Sequence, residues 1–168
     1  MIHIRKAETQ SELNDVRALM REFVQWHRDR HVDDYDLIKQ YFDPDDFDRE
    51  LDNLPGKYGP PKGSLVIAYD DDAPVGCVAM RELGDGACEM KRMYVPERAR
   101  GRGVGQRLAD RIIADARAAG YRHMRLDTSK RQSEAMRLYE RSGFVRIPAY
   151  YPLEDAIKDW LVFFELTL

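Results

Sequence analysis

Alternation of apolar and polar residues recurs along the chain and predicts several short β-strands. At the N-terminus, Ile2 and Ile4 alternate with His3 and Arg5. Turn residues, such as the acidic run at 70–74, separate the central segments, so that three strands follow one another as a meander. The predicted strands are 2–6, 64–69, 75–80, 87–95, 124–128 and 160–168.

Apolar residues spaced three and four positions apart predict amphipathic helices between the strands. The first helix is expected to follow a cap at Thr9 or Ser11. Residues 29–55 continue a helical pattern that is broken at Pro44, which predicts one or two helices with an irregular joint. Residues 55–63 are so rich in proline and glycine that they are predicted to form a loop.

Two further helices are predicted in the second half of the chain. One follows strand 87–95 and ends at Gly120, and because another strand comes next, this order implies a parallel pair with a crossover helix. The other is expected to begin with a capping box at residues 129–132 and to end at Gly143. The apolar residues 144–147 then lead towards a terminal hairpin. The resulting fold is a mixed sheet with helices on both faces.

The composition fits one globular domain over residues 1–168. The chain is 43% hydrophobic and 34% charged, and no apolar run approaches the ~20 residues that a membrane span needs. The first residues form no apolar signal core, so a cytoplasmic location is expected. Cys77 and Cys88 lack the spacing of metal ligands and are expected to be reduced thiols.

Charge is divided unevenly along the chain, although the net charge is only −3. Residues 29–52 hold ten acidic and three basic residues, whereas residues 98–146 hold thirteen basic and five acidic ones. The basic segment favours a polyanionic ligand and the acidic segment a cationic one, although solvated helix faces would give the same division. The arginines are spread around whole helices and the pI is about 5.8, so no nucleic-acid partner is predicted.

Three glycines, Gly101, Gly103 and Gly105, lie between a predicted strand and the helix that follows it. Such a backbone can approach a ligand closely and direct its N–H groups at an anion, helped by the positive end of the helix dipole. The spacing matches neither the P-loop nor the dinucleotide-binding fingerprint. We therefore predict an anion site, to which Arg100 and Arg102 either add charge or remain as solvated surface residues.

The histidines do not predict a metal site. His27 and His31 have the i, i+4 spacing of two ligands on one helix face, but no cysteine or carboxylate is arranged as a further ligand. No metal is therefore expected. Asp127, at the end of a predicted strand, is interpreted as a turn or cap residue.

Two motifs resemble those of one enzyme family. RGRGVG at residues 100–105, after a strand that ends in YVP at 94–96, is similar to the acetyl-CoA signature of the GNAT family of N-acetyltransferases. Residues 135–144 are similar to the second cofactor element of that family, and the order of elements agrees over nearly the whole chain. The resemblance implies an α+β fold in three αβα layers, with a mixed, mostly antiparallel twisted sheet of about seven strands.

The resemblance also implies an activity. It is the transfer of an acetyl group from acetyl-CoA directly to a primary amine, in a ternary complex and without an acyl-enzyme. No nucleophile activated by a nearby base is evident in the sequence, which agrees with direct transfer. The alternative is a non-catalytic module that binds CoA as a sensor or partner domain, and a preference for another acyl-CoA also stays open.

The resemblance assigns roles to particular residues. The pyrophosphate would meet the backbone at residues 101–106, and the pantetheine arm would pair with residues 93–95 if the sheet splays open there. Tyr139 matches the family tyrosine that protonates the departing thiolate, whereas without the resemblance it would be interpreted as a core aromatic. Gln132 stands where the family often has Asn. The expected cofactor residues are Met93, Tyr94, Val95, Arg100, Gly101, Arg102, Gly103, Val104, Gly105, Gln106, Gln132 and Tyr139.

Glu89 lies in a run that is otherwise typical of a strand, and a carboxylate there needs an explanation. If its side chain points into the cleft, it could bind an ammonium substrate and accept its proton, directly or through water, or it could bind the substrate only. A solvent-facing position paired with Lys or Arg is the alternative. Glu89 is therefore a predicted catalytic and substrate-binding residue beside Tyr139.

The acceptor is expected to be a small molecule or peptide with a primary amine. The acidic residues 29–52 and Tyr58 in the 55–63 loop are candidates for the acceptor side. Tyr58 could instead pack the loop onto the domain. No membrane partner is expected, and the protein is expected to be a monomer or a homodimer.

Overall fold

The computed structural model describes residues 1–168, which form seven strands and six α-helices. The strands are β1 (Ile2–Lys6), β2 (Ser64–Asp70), β3 (Ala73–Gly84), β4 (Ala87–Tyr94), β5 (His123–Ser129), β6 (Val145–Ile147) and β7 (Leu161–Thr167). The helices are α1 (Gln10–Arg30), α2 (Tyr35–Tyr41), α3 (Pro44–Asp52), α4 (Val104–Ala118), α5 (Ser133–Arg141) and α6 (Asp155–Trp160).

The strands form one sheet in the order β1-β2-β3-β4-β5-β7-β6. Neighbouring strands are antiparallel except β4 and β5, which are parallel and are joined by α4 as the crossover helix. The register places Met80 opposite Met90 between β3 and β4, and Leu126 opposite Phe164 between β5 and β7. This arrangement confirms the predicted mixed, mostly antiparallel sheet of seven strands.

Helices cover both faces of the sheet, because alternate strand residues point to opposite sides. On one side, here called the α1 face, helices α1, α2, α3 and α6 pack on strand residues such as Ile67 and Phe163. On the other side, here called the α4 face, helices α4 and α5 pack on residues such as Met80 and Leu126. These layers confirm the αβα architecture. None of the six helices has both the length and the apolar character of a membrane-spanning segment.

Most of the predicted elements form where the pattern placed them. Helix α1 begins after a Thr9 cap. Residues 29–55 include two separate helices, since α2 ends at Tyr41 and α3 begins at Pro44. Strand β3 continues to Gly84, four residues beyond its predicted end. Helix α6 was not predicted, because its buried apolar residues, Ile157 and Trp160, mark only a single turn.

The capping box predicted at residues 129–132 is wrong. Ser129 is the last residue of β5 and pairs with Leu161 in β7. Helix α5 starts at Ser133 with Gln132 as its cap, and no side-chain hydrogen bond closes this helix end. The first N–H groups of α5 are therefore left without a capping partner.

Candidate active site

The sheet opens between β4 and β5. These strands pair only at residues 87–89 and 123–125, whereas β5 stays paired with β7 over its whole length. A bulge in β4 at Arg92, whose φ is +58°, lets Lys91 and Arg92 both reach helices of the α1 face. The opening between the two strands is here called the gap. On the side that faces the gap, the backbone of residues 90–94 has no strand partner.

The glycine turn leads into α4 at one end of the gap. Gly101 and Gly103 both have a φ of +75°, with open space where a Cβ would stand. Gly103 caps α4 without a side-chain hydrogen bond, and the first helical bond runs from the Arg107 N–H to Gly103 O. The N–H groups of residues 104–106 therefore have no partner in the helix, at the place where the sequence predicts an anion site.

A second helix begins beside the glycine turn. Helix α5 also starts without a side-chain cap, and its first residues, 133–135, line the same cleft as Gly105 and Gln106. Two helix N-termini therefore meet at this cleft. The free N–H groups and the dipoles of both helices favour an anion between them.

The cleft between the two helix ends, here called the basic cleft, has a volume of about 410 Å³. Its charged side chains are four arginines and one glutamate, so its lining is net positive. Arg100 lies over the Trp26 ring at 4.6 Å and donates from Nε to Val95 O at 2.9 Å. Arg102 does not reach the cleft, because its guanidinium pairs with Asp70 at 2.8 Å. The basic cleft therefore suits a polyanion.

Most of the expected cofactor residues come together at the basic cleft. Gln132 lies where the cleft meets the gap, and its Nε2 is 3.2 Å from Nε2 of His27. Those that line the cleft are Met93, Tyr94, Val95, Arg100, Gly101, Gly103, Val104, Gly105, Gln106 and Gln132.

Two buried polar atoms beside the gap have no partner in the protein, Ser129 Oγ and His27 Nδ1. Unpartnered buried polar atoms are rare, so these two are free to form hydrogen bonds with a molecule bound in the gap. Burial lowers the pKa of His27 to about 4, so the ring is neutral at pH 7. The ring centres of His27 and His31 lie 5.1 Å apart, and no group of three or more His, Cys, Asp or Glu side chains is arranged to bind a metal.

Tyr139 lies on α5 and lines the gap. Its ring packs on Phe144 and Phe164, with ring centres 5.9 Å and 6.1 Å away. Burial and then the charge of Asp127 raise the pKa of Tyr139 well above its ordinary value, and its hydroxyl makes no hydrogen bond within the protein. Tyr139 is thus a neutral phenol with a proton to donate.

Glu89 does not reach the gap, contrary to the direct substrate contact predicted for it. Its side chain is 1% exposed. Arg81, which the register places opposite it, lies 2.9 Å from one carboxylate oxygen, and Lys91 lies 3.9 Å from the same atom. Tyr150 donates to the other oxygen. The charge of Glu89 is balanced within the protein, as in the ion-paired alternative, but the side chain is buried and does not face solvent as that alternative expected.

A second cleft, here called the α3 cleft, lies between α2, α3 and the 55–63 loop and has a volume of about 520 Å³. Arg92 pairs there with Glu50 at 2.9 Å, and both side chains are only 10% exposed. Tyr58, which was expected to contact the substrate, is 1% exposed and donates to Glu50 at 2.9 Å. Tyr58 therefore packs the loop and holds Glu50, as in its alternative interpretation.

Sequence reasoning missed a network of tyrosines and carboxylates beside the gap. Tyr41 and Tyr151 both donate from their hydroxyls to Asp127, and Tyr150 donates to Glu89. Asp127 lies inside β5 and is not the turn or cap residue that was expected. Two adjacent tyrosines between prolines were the available signal in the sequence. Their partners lie too far along the chain to form a motif.

Comparisons with known proteins agree with this geometry. Residues 17–144 match the acetyltransferase (GNAT) family. An uncharacterised N-acetyltransferase of Schizosaccharomyces pombe (strain 972) is 35% identical over 152 residues, which are 89% of this chain and 86% of that protein. An uncharacterised N-acetyltransferase of Dictyostelium discoideum is 25% identical over 88% of this chain and 92% of that protein.

A solved structure has the same fold. The PaiA N-acetyltransferase of Thermoplasma acidophilum, in complex with coenzyme A, has a TM-score of 0.73 over 100% of this chain and 99% of that one, at 15% identity. The family match covers most of the chain, and the S. pombe relative is similar over nearly its full length. This chain therefore belongs to the acetyltransferase (GNAT) family, enzymes that transfer acetyl groups from acetyl-CoA.

Proposed function

We propose that this chain, acting as one domain, transfers the acetyl group of acetyl-CoA directly to a primary amine in a ternary complex. The observation that carries the proposal is the gap, which adjoins both clefts. Met93 and Gln132 line the gap and the basic cleft, whereas Tyr41 and Arg92 line the gap and the α3 cleft. An acyl-CoA and an amine that enter from opposite clefts would therefore meet in the gap.

The chemistry of the basic cleft supports acetyl-CoA as the donor. The free edge at residues 93–95 can pair with the amide groups of the pantetheine arm as an added strand would. The N–H groups of residues 104–106, with Arg100 nearby, can receive the pyrophosphate without a metal. Gln132 and Ser129 offer polar groups where the arm enters the gap.

Direct transfer is supported by the state of the two thiols. Cys77 and Cys88 are both buried, and burial raises the pKa of each to about 12. Neither thiol can therefore supply the thiolate that an acyl-enzyme requires. Ser129 Oγ has no hydrogen-bonded base to activate it.

Tyr139 is the proposed general acid, which protonates the thiolate as it leaves. Glu89 is proposed as a positioning residue. Its carboxylate accepts a hydrogen bond from Tyr150 and attracts Lys91, and Lys91 lines the gap.

A panel of primary amines tests the proposed function. Ethanolamine, glycinamide, tyramine, putrescine and spermidine are each incubated with acetyl-CoA, and the release of free CoA thiol is followed. At least one amine is expected to release thiol. Calorimetric binding of acetyl-CoA without thiol release from any amine would instead favour the non-catalytic CoA-binding module.

Replacement of the proposed acid tests the mechanism. Tyr139→Phe should lower kcat roughly 100-fold or more, because the leaving thiolate loses its proton donor. The calorimetric Kd for acetyl-CoA should stay unchanged. Tyr121→Phe is the matched control, since the Tyr121 hydroxyl donates to Lys62 O away from the gap. Equal turnover by both variants would remove Tyr139 from the mechanism.

A further inference from the structure

Two carboxylates flank the divergence of β4 and β5, and they differ in how their charge is balanced. Glu89 on β4 is ion-paired with a neighbouring arginine and lysine. Asp127 on β5 forms no ion pair, and its hydrogen-bond partners are the hydroxyls of Tyr41 and Tyr151. Two neutral phenols donate hydrogen bonds to a carboxylate but bring no positive charge to it. Asp127 is therefore a carboxylate that lines the gap without a direct ion-pair partner.

Asp127 also has hydrogen-bonding capacity to spare. A carboxylate offers about four acceptor positions, and each of its oxygens receives one phenol here. Burial and then the Asp127 charge raise the pKa values of Tyr41 and Tyr151, so both phenols stay protonated and donate. About two acceptor positions are thus left for a donor that enters the gap.

The wall beside Asp127 is aromatic. The Tyr41 ring meets Phe42 at 4.7 Å and Trp160 at 6.1 Å, and all three side chains line the gap. Aromatic faces attract cations. Lys91 already places an ammonium against this wall, with Nζ 5.1 Å from the Tyr41 ring centre and 2.9 Å from its hydroxyl. The surroundings of Asp127 therefore suit an ammonium group.

We propose that Asp127, and not Glu89, binds the ammonium of the acceptor and accepts its proton. This inference rests on the proposed function, and it assigns the acceptor to cationic primary amines. Asp127 takes one proton from the ammonium, and the neutral nitrogen attacks the carbonyl carbon of the thioester. The C–N bond forms and the C–S bond breaks. Tyr139 gives its proton to the sulfur and is reprotonated by the second proton of the nitrogen, while Asp127 releases its proton to water.

Three variants of the full chain test this assignment. Asp127→Asn removes the charge and keeps the shape, Glu89→Gln does the same on the other strand, and Tyr151→Phe removes one phenol but leaves the Asp127 charge. For each variant, calorimetry measures binding of the five panel amines in the presence of CoA. Thiol release with acetyl-CoA gives kcat/KM for the amine, and thermal unfolding checks that each variant is folded.

Asp127→Asn is expected to lower amine affinity and kcat/KM roughly 100-fold, because an ion pair in a desolvated site is lost. Glu89→Gln and Tyr151→Phe remove groups that position the site, so each should weaken amine binding, but roughly tenfold less than Asp127→Asn does, since both leave the Asp127 charge in place. Equal losses in Asp127→Asn and Glu89→Gln, or wild-type amine binding by Asp127→Asn, would overturn the inference.

The failure of the inference and the failure of the proposed function look different in this experiment. If amines bind through Asp127 but no thiol is released, the binding role of Asp127 stands, whereas its role as proton acceptor and the proposed function both fail. If thiol is released equally by the wild type and Asp127→Asn, the function stands and the inference fails. If none of the five amines binds to the wild type, the inference is overturned.

Discussion

The basic cleft and the α3 cleft meet at the same gap but are built in different ways. The basic cleft is formed mainly by two short stretches, residues 93–106 and 131–141, and offers backbone N–H groups at two helix starts. The α3 cleft and its neighbouring network depend on side chains that are distant in sequence. Tyr41 and Asp127 are 86 positions apart. A site made by local backbone is visible in a sequence, whereas a site made by distant side chains is visible only in the fold.

The largest expected effect comes from the α3 cleft. Arg92→Met should lower the free energy of unfolding by about 3–5 kcal/mol, because it leaves Glu50 buried without its main partner. Burial alone would raise the pKa of Glu50, but the Arg92 hydrogen bond and charge outweigh it and lower that pKa to about 2. Urea unfolding at pH 7 measures the loss. Acetyl-CoA affinity should persist, since Arg92 does not line the basic cleft.

An exposed ion pair gives the matched control. Arg21 and Asp48 lie 2.9 Å apart with their side chains 54% and 56% exposed, so Arg21→Met should cost no more than about 1 kcal/mol. If Arg92→Met cost no more than Arg21→Met, the α3 cleft would not depend on the Arg92–Glu50 pair.

A smaller effect is expected at the boundary between the clefts, where His27 packs on Phe42 and Trp160 and contacts Gln132. Its pKa is about 4 in the fold, against an ordinary 6.5, because burial disfavours the charged ring. The unfolded chain therefore binds a proton first as the pH falls. Stability from neutral His27 is complete well above pH 6.5 and is lost between about 6.5 and 4, by on the order of 3 kcal/mol.

Substitution of His27 isolates this pH dependence. His27→Gln has no titrating group at this position, so its unfolding free energy should fall less steeply than that of the wild type over this pH range. His3→Gln is the control, since His3 is exposed, and its profile should follow the wild type. Parallel profiles for His27→Gln and the wild type would show that His27 does not contribute to acid sensitivity.

The smallest effect on stability is expected in the glycine turn. Gly103 and Gly120 have φ values of +75° and +86°, and both have open space around the missing Cβ. Gly103→Ala and Gly120→Ala should therefore each cost about 1–2 kcal/mol of stability from the left-handed conformation. Only Gly103→Ala should also raise the Kd for acetyl-CoA, because Gly103 lines the basic cleft. Equal Kd values for the two variants in calorimetry would separate Gly103 from cofactor binding.

The same contrast explains how much could be predicted. Strand alternation, helix periodicity and the glycine turn are local patterns, so the sheet, its layers and the anion-binding turn before α4 could be predicted from the sequence, whereas the uncapped start of α5 could not. A carboxylate within a strand needs a partner, and the prediction for Glu89 placed that partner in the substrate. The partner is instead Arg81, which lies opposite Glu89 in the pairing of β3 with β4, and residue types alone do not determine that register. Ser129 has the residue type of a helix cap, yet pairing with β7 keeps it in the strand.

The role of Asp127 could not have been predicted for a related reason. Its environment is made by Tyr41 from α2 and Tyr151 from the segment before α6. Neither segment carries a motif, and their approach to β5 depends on the packing of the whole α1 face. Tertiary contacts of this kind leave no spacing signal in the chain.

Direct transfer across the gap is the central claim, and steady-state kinetics with two varied substrates test it most directly. Initial rates are measured while acetyl-CoA and the most active amine of the panel are varied together. Direct transfer in a ternary complex predicts double-reciprocal lines that intersect. Parallel lines, which indicate an acyl-enzyme formed before the amine binds, would contradict it.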